Sequence, residues 1–191
     1  MPMKIDILKL LNDVETYPTW YSNKTYRFIV TDNKDGTITV MYPCTGRQPK
    51  QTFNRYIELT PQLIWTLGFI EGEGLKSRGK SAYRRFIVTN NDSEKMAFVL
   101  DVLETYNFVK RSNLTKNSIR IRYGNEHNRE KLLKYWSKKL NVKRNIIYIS
   151  QTPDPIKKSE FGTCDIYLSN IILRRVIDEI KSYVFRSMKP I

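Results

Sequence analysis

Apolar and polar positions follow two periods along this chain, one suited to helices and one to strands. Residues 4–15 read as a short helix. Residues 26–31 and 37–42 alternate and are rich in β-formers, with Asp35-Gly36 between them as a turn, so they predict a hairpin. Residues 43–54 are polar, carry Pro43, Gly46 and Pro49, and read as a linker or loop. Thr60 and Pro61 then open a helix as cap and first residue, and the apolar run Leu63, Ile64, Trp65, Leu67, Phe69, Ile70 carries it to about Gly72. Residues 82–89 predict a strand. A helix capped by Asp92 or Ser93 follows, with Met96, Val99, Leu100 and Leu103 on one face. Residues 108–111 and 118–123 read as two strands joined by a polar turn. Residues 128–140 form an amphipathic helix with Leu132, Leu133, Trp136 and Leu140 inward. Strands over 146–149 and 164–168, a Pro-interrupted loop at 152–159 and a helix over 170–185 complete the pattern. The fold class is α+β, organised as a small αββ extension over 1–59 and a larger unit over 60–191.

Composition narrows the function. The 191 residues carry 33 Lys+Arg against 19 Asp+Glu, a formal charge of +14. Residues 1–59 hold eight basic and six acidic side chains, so residues 60–191 hold the other 25 and 13, a local excess of +12. Three stretches there contain no acid. The first includes Lys76, Arg78, Lys80, Arg84 and Arg85; the second Lys110, Arg111, Lys116, Arg120 and Arg122; the third Lys131 to Arg144, with Lys139 and Lys143. Such blocks form a surface that tracks phosphates, so a nucleic acid is the expected partner. No stretch approaches the ~20 apolar residues of a membrane span. Two unpatterned cysteines exclude a disulfide scaffold and fit a reducing compartment, cytoplasmic or organellar rather than secreted. The single histidine, His127, excludes multi-histidine metal sites and reads as a capping or solvent-exposed residue.

The chemistry concentrates in the helix after Pro61. Ile64, Gly68 and Gly72 recur every four residues and share one face. Two glycines on one face weaken a helix unless a second backbone approaches closely, so that face wants a partner helix. Glu71, Glu73 and Gly74 end it. Carboxylates at a helix C-terminus oppose the macrodipole, and a hard divalent cation would compensate them; two solvated acids before a glycine stop is the plain alternative.

The segment Thr-Leu-Gly-Phe-Ile-Glu-Gly-Glu-Gly at 66–74, with its lead-in Leu59-Thr60-Pro61-Gln62-Leu63, resembles the signature of the LAGLIDADG homing endonucleases. The predicted element order over residues 60–140 is similar to that family's αββαββα unit. The resemblance implies a site-specific double-stranded DNA endonuclease with Mg²⁺ as cofactor. It implies a homodimer in which two such helices pack through Ile64, Gly68 and Gly72. It assigns the metal to Glu73 and Gly72, and catalytic roles to Glu73, Asn90 and Lys143, with Lys139 and Arg144 as rivals of Lys143. DNA contacts would come from Lys76, Arg78, Lys80, Arg84, Arg85, Lys110, Arg111, Arg120, Arg122 and Lys139. Arg120 and Arg122 share one strand face opposite Ile119, Ile121 and Tyr123. Two alternatives stand beside this reading. One is a non-catalytic nucleic-acid binder on the same fold, such as an RNA maturase or transcription regulator. The other is a monomer with a degenerate second half, for which the echo of Phe86–Asn90 in Ile166–Asn170 is the hint. A second nuclease pattern, Pro153-Asp154 with Glu179 and Lys181, needs a strand where a helix is predicted.

Overall fold

Asp6 sets how the chain begins. In the computed structural model, which describes residues 3–12, 14, 26–43, 48–74, 85–124, 128–151 and 159–187, its carboxylate accepts from the Leu8 amide at 3.1 Å. That cap ends strand β1 (Lys4–Asp6) and starts helix α1 (Ile7–Leu11). The helix expected over 4–15 is therefore shorter and preceded by a strand. Strands β2 (Ile29–Asp32) and β3 (Thr37–Met41) form the expected hairpin, and Gly36 supplies its turn with φ +86°. Strand β4 (Lys50–Asn54) adds antiparallel to β3, inside the segment expected as loop, and β5 (Tyr56–Glu58) pairs with β1. Among the described residues the extension thus reads β-α-β-β-β-β rather than αββ. Arg55 fastens its two small sheets by bonding both Asp6 and Asp32 at 2.9–3.2 Å.

Helix α2 (Pro61–Glu73) begins as the sequence predicts, with Thr60 Oγ1 accepting from the Leu63 amide. The remaining elements are β6 (Phe86–Asn90), α3 (Ser93–Thr105), β7 (Ile119–Tyr123), α4 (Arg129–Leu140), β8 (Ile147–Gln151), β9 (Thr163–Leu168) and α5 (Ile171–Ser187). They build a four-stranded sheet in the order β6-β9-β7-β8, antiparallel except for the parallel β7–β8 pair. One expected strand is absent: residues 108–111 turn instead of extending. Asn107 takes φ +58° just past α3, and the Phe108 and Val109 amides bond back to the Leu103 carbonyl, closing the helix. Among the described residues, 61–140 therefore reads α-β-α-β-α, not αββαββα.

The sheet has two unlike faces. Phe86, Val88, Cys164, Ile166, Ile119, Ile121, Ile147 and Ile149 are buried and join the helices in one continuous core. That core crosses residue 60. Phe53 of β4 meets Phe108 at 6.3 Å between ring centroids, and Gln51 bridges the Phe108 carbonyl and the Asn170 side chain. Trp136, fully buried in α4, donates to the Phe161 carbonyl at 2.7 Å. No described helix is long and apolar enough to cross a membrane.

Candidate nucleic-acid interface

The alternate positions of the sheet make a different surface. Ile87 and Thr89 of β6, Asp165 and Tyr167 of β9, Arg120 and Arg122 of β7, and Tyr148 and Ser150 of β8 are all exposed or half-buried. Arg120 and Arg122 share this face as the strand period predicts. Their geometry is organised from within. Asp165 accepts from Thr89 Oγ1 at 2.8 Å and from Arg122 Nη2 at 2.9 Å, while the Arg120 guanidinium lies 3.4 Å above the Tyr167 ring. Arg85, exposed at the start of β6, reaches the same ring at 5.7 Å. Among the described residues, buried Nε atoms of Arg120 and Arg122 have no hydrogen-bond partner. Donors held this way are oriented before a ligand arrives.

The motif helix presents its open side elsewhere. Leu63, Thr66, Leu67 and Ile70 face the core, whereas Pro61, Trp65, Gly68 and Gly72 face outward. A methyl group added at Gly68 or Gly72 would meet nothing within 4 Å. Trp65 stacks on Phe69 and meets Phe98 of α3 edge-on, each at 5.1 Å, so an exposed aromatic cluster flanks the glycine stripe. Ile64 lies half-buried at the other margin.

The two motif carboxylates have separate fates. Glu71 accepts from Lys181 Nζ at 2.6 Å, and Lys181 also holds Asp178 at 3.1 Å. Lys181 of α5 thus supplies a positive charge to Glu71. Glu73, the last residue of α2, is exposed, and no ion pair reaches it among the described residues. Gly74 follows in a bridge to Val88, so the helix end is tied to β6. A Cβ on Gly74 would sit 2.2 Å from the Ile70 carbonyl oxygen, so this tie requires glycine.

Asn90 ends β6, the strand that receives Gly74. Its Oδ1 accepts from the Asp92 amide at 2.8 Å and shapes the entry to α3. Lys143 is exposed and leads into β8. Strands β6 and β8 are the two edges of the sheet, three inter-strand spacings or roughly 14 Å apart, so the fold places Lys143 across the sheet from Asn90. Lys139 pairs with Glu94 at 3.4 Å, and Arg144 with Glu130 at 2.6 Å. Arg111 turns inward: it bonds Asp101, Glu104 and the Leu140 carbonyl and clamps the segment after α3. Lys110 beside it stays exposed. Lys76, Arg78, Lys80, Arg84 and His127 lie outside the described residues, as does Asp154. Glu179 and Lys181 are helical, as the sequence predicts. Burial pushes the Cys164 thiol well above its ordinary range, so it packs as a small apolar residue.

Sequence reasoning missed three participants. Asp165 holds Arg122, Tyr167 carries Arg120 and Arg85, and Lys181 holds Glu71; the alternation of β9 and the register of α5 are the available signals. Among the described residues no group of three or more His, Cys, Asp or Glu side chains could hold a metal by itself. Compared with protein-family models, curated proteins and solved structures, the chain matches none of them.

Proposed function

We propose that this chain is a Mg²⁺-dependent, double-stranded DNA endonuclease of the LAGLIDADG type that acts as a homodimer. The observation that carries the reading is the open face of α2, whose stripe of Trp65, Gly68 and Gly72 ends at the exposed Glu73, which no ion pair reaches among the described residues. Two copies packed along that stripe bring two Glu73 carboxylates to one end of the interface. One carboxylate from each copy suits Mg²⁺, which takes few protein ligands and fills its shell with water and substrate phosphate. Such an ion, when bound, polarises a phosphate and activates water.

The chain's own residues supply the rest. Gly74 and its bridge to Val88 tie the backbone beside Glu73 to β6. Lys181 holds Glu71 away from the same site. Arg85, Arg120 and Arg122 present guanidinium groups to phosphates or guanine edges from the open sheet face.

The Lys181–Glu71 pair also favours a second reading. It takes one of the two motif carboxylates into an ion pair within the chain, as a non-catalytic nucleic-acid binder would tolerate. One variant separates the two. Glu73→Gln, assayed with Mg²⁺ on a library of duplex sites, should lose cleavage by at least about a thousandfold and keep binding. A wild-type protein that binds duplex DNA and cuts none would leave the binder. Sedimentation tests the assembly: Gly68→Leu should turn a dimer into a monomer, and an unchanged sedimentation coefficient would remove α2 from the interface.

A further inference from the structure

A groove of about 900 Å³ runs between the β3–β4 wall of the N-terminal sheet, the segment 107–118 and the edge of the open sheet face at Arg120 and Tyr167. Its charged lining is one-sided: Lys50, Lys110, Lys116 and Arg120 against Asp35 alone. Asp35 is already engaged, since its carboxylate accepts from the Thr37 amide and hydroxyl at 2.9 and 2.6 Å. Two buried polar atoms in the lining have no partner among the described residues, Arg120 Nε and Asn117 Oδ1. Arg120 Nε is a donor and Asn117 Oδ1 an acceptor, both shielded from solvent, so what the groove offers a ligand is its lysine ammonium groups and the Arg120 guanidinium. The walls are also fixed in place. Gln51 ties β4 to Phe108 and Asn170, and Arg111 clamps the segment that carries Lys110 and Lys116.

We infer that this groove is a second DNA contact, one that holds the sugar-phosphate backbone of duplex flanking the open sheet face. The inference deepens the endonuclease reading and rests on its choice of partner. Rings decide between duplex and single strand. Single-stranded nucleic acid is gripped by bases stacking on exposed aromatic faces. The rings lining this groove are Phe108, which is buried, and Tyr167, whose face Arg120 covers. The groove therefore offers cations and hydroxyls to phosphates without a stacking platform. Lys50 belongs to the N-terminal sheet, so that sheet becomes part of the DNA grip.

Each lysine that neutralises a phosphate contributes about 0.9 to the slope of log K against log salt. The experiment measures fluorescence anisotropy of a 30-base-pair duplex across a salt series. The triple variant Lys50→Gln/Lys110→Gln/Lys116→Gln should reduce the slope by about 2.7. The control Lys4→Gln/Lys9→Gln/Lys95→Gln removes the same charge from exposed positions outside the groove and outside the three acid-free stretches, and should leave the slope unchanged. An unchanged slope in the first variant, or an equal drop in the control, would overturn the groove as a contact. So would a wild-type protein that binds no duplex. Tighter binding of a 30-nucleotide single strand, lost in the first variant, would overturn the duplex assignment. A protein that shows the predicted slopes and cuts nothing would remove the endonuclease reading and keep the groove.

Discussion

Lys181 and Arg111 show how much a single side chain's surroundings change its meaning. Both are cations in a basic chain, and both are drawn inside. The Lys181 side chain is only 9% exposed while its partner Glu71 is 59% exposed. Removing the lysine's charge therefore costs more than removing the acid's. Lys181→Met should destabilise the protein by roughly 1–3 kcal/mol, because it breaks charge-assisted bonds in a shielded place. Glu71→Gln should cost under about 1 kcal/mol, as for other exposed pairs. Urea denaturation of both variants checks the order. Arg111 shows the limit of reading sequence at this scale. Its neighbours in the sequence, Lys110 and Ser112, give no sign that Asp101 and Glu104 one helix earlier face it. Asp6 gives a pH dependence with a definite sign. The Arg55 guanidinium beside Asp6 holds its carboxyl below the usual range. A lowered folded-state pKa stabilises above the unfolded value, about pH 4, and that stability is lost as pH falls through the folded value. Glu104 acts in the same direction through the Arg111 amide and side chain. Stability should therefore fall below about pH 4, and the fall should be shallower in Asp6→Asn, as denaturation midpoints across pH will show.

Helices with sequence-local caps were legible before the structure. Thr60 before Pro61 and Asp92 before Ser93 each cap as expected, because a cap involves residues only two or three apart. Strands β6, β7, β8 and β9 were legible because apolar positions alternate within five or six residues. Strand β4 was not. Lys-Gln-Thr-Phe-Asn buries only Phe53, and its extended form comes from pairing with β3. Phe108 and Val109 misled in the opposite way: their apolar side chains plug the end of α3, which sequence alone cannot tell from a strand. At the candidate site the stripe of Gly68 and Gly72 was legible, and the bridge from Gly74 to Val88 was not. That bridge makes a prediction. Gly74→Ala drives a methyl group against the Ile70 carbonyl and should cost roughly 1–3 kcal/mol through backbone displacement. Gly68→Ala, with open space around it, should stabilise the isolated chain by up to about 1 kcal/mol. Thermal melts of the two variants at low protein concentration should shift in opposite directions.

The charge of the whole molecule is arranged by its architecture. Helices fill one side of the main sheet, and the other side carries Arg120, Arg122 and Tyr167 beside the groove. Residues before 60 share the core with those after it, so a fragment of residues 60–191 would uncover Phe108 and lose the Gln51 bridges. Such a fragment should lose its sharp melting transition and bind a hydrophobic dye, which calorimetry and fluorescence will test. The strand order β6-β9-β7-β8 has a consequence in time. Strand β9, near the end of the chain, is the one that lies between β6 and β7. Until Thr163–Leu168 has been synthesised, β6 and β7 have no neighbour in common, and the sheet has a gap at its centre. The native sheet must therefore close after most of the chain has left the ribosome. Folding is then governed by long-range pairing, which makes it slow and leaves strand edges exposed while the nascent chain waits for its central strand.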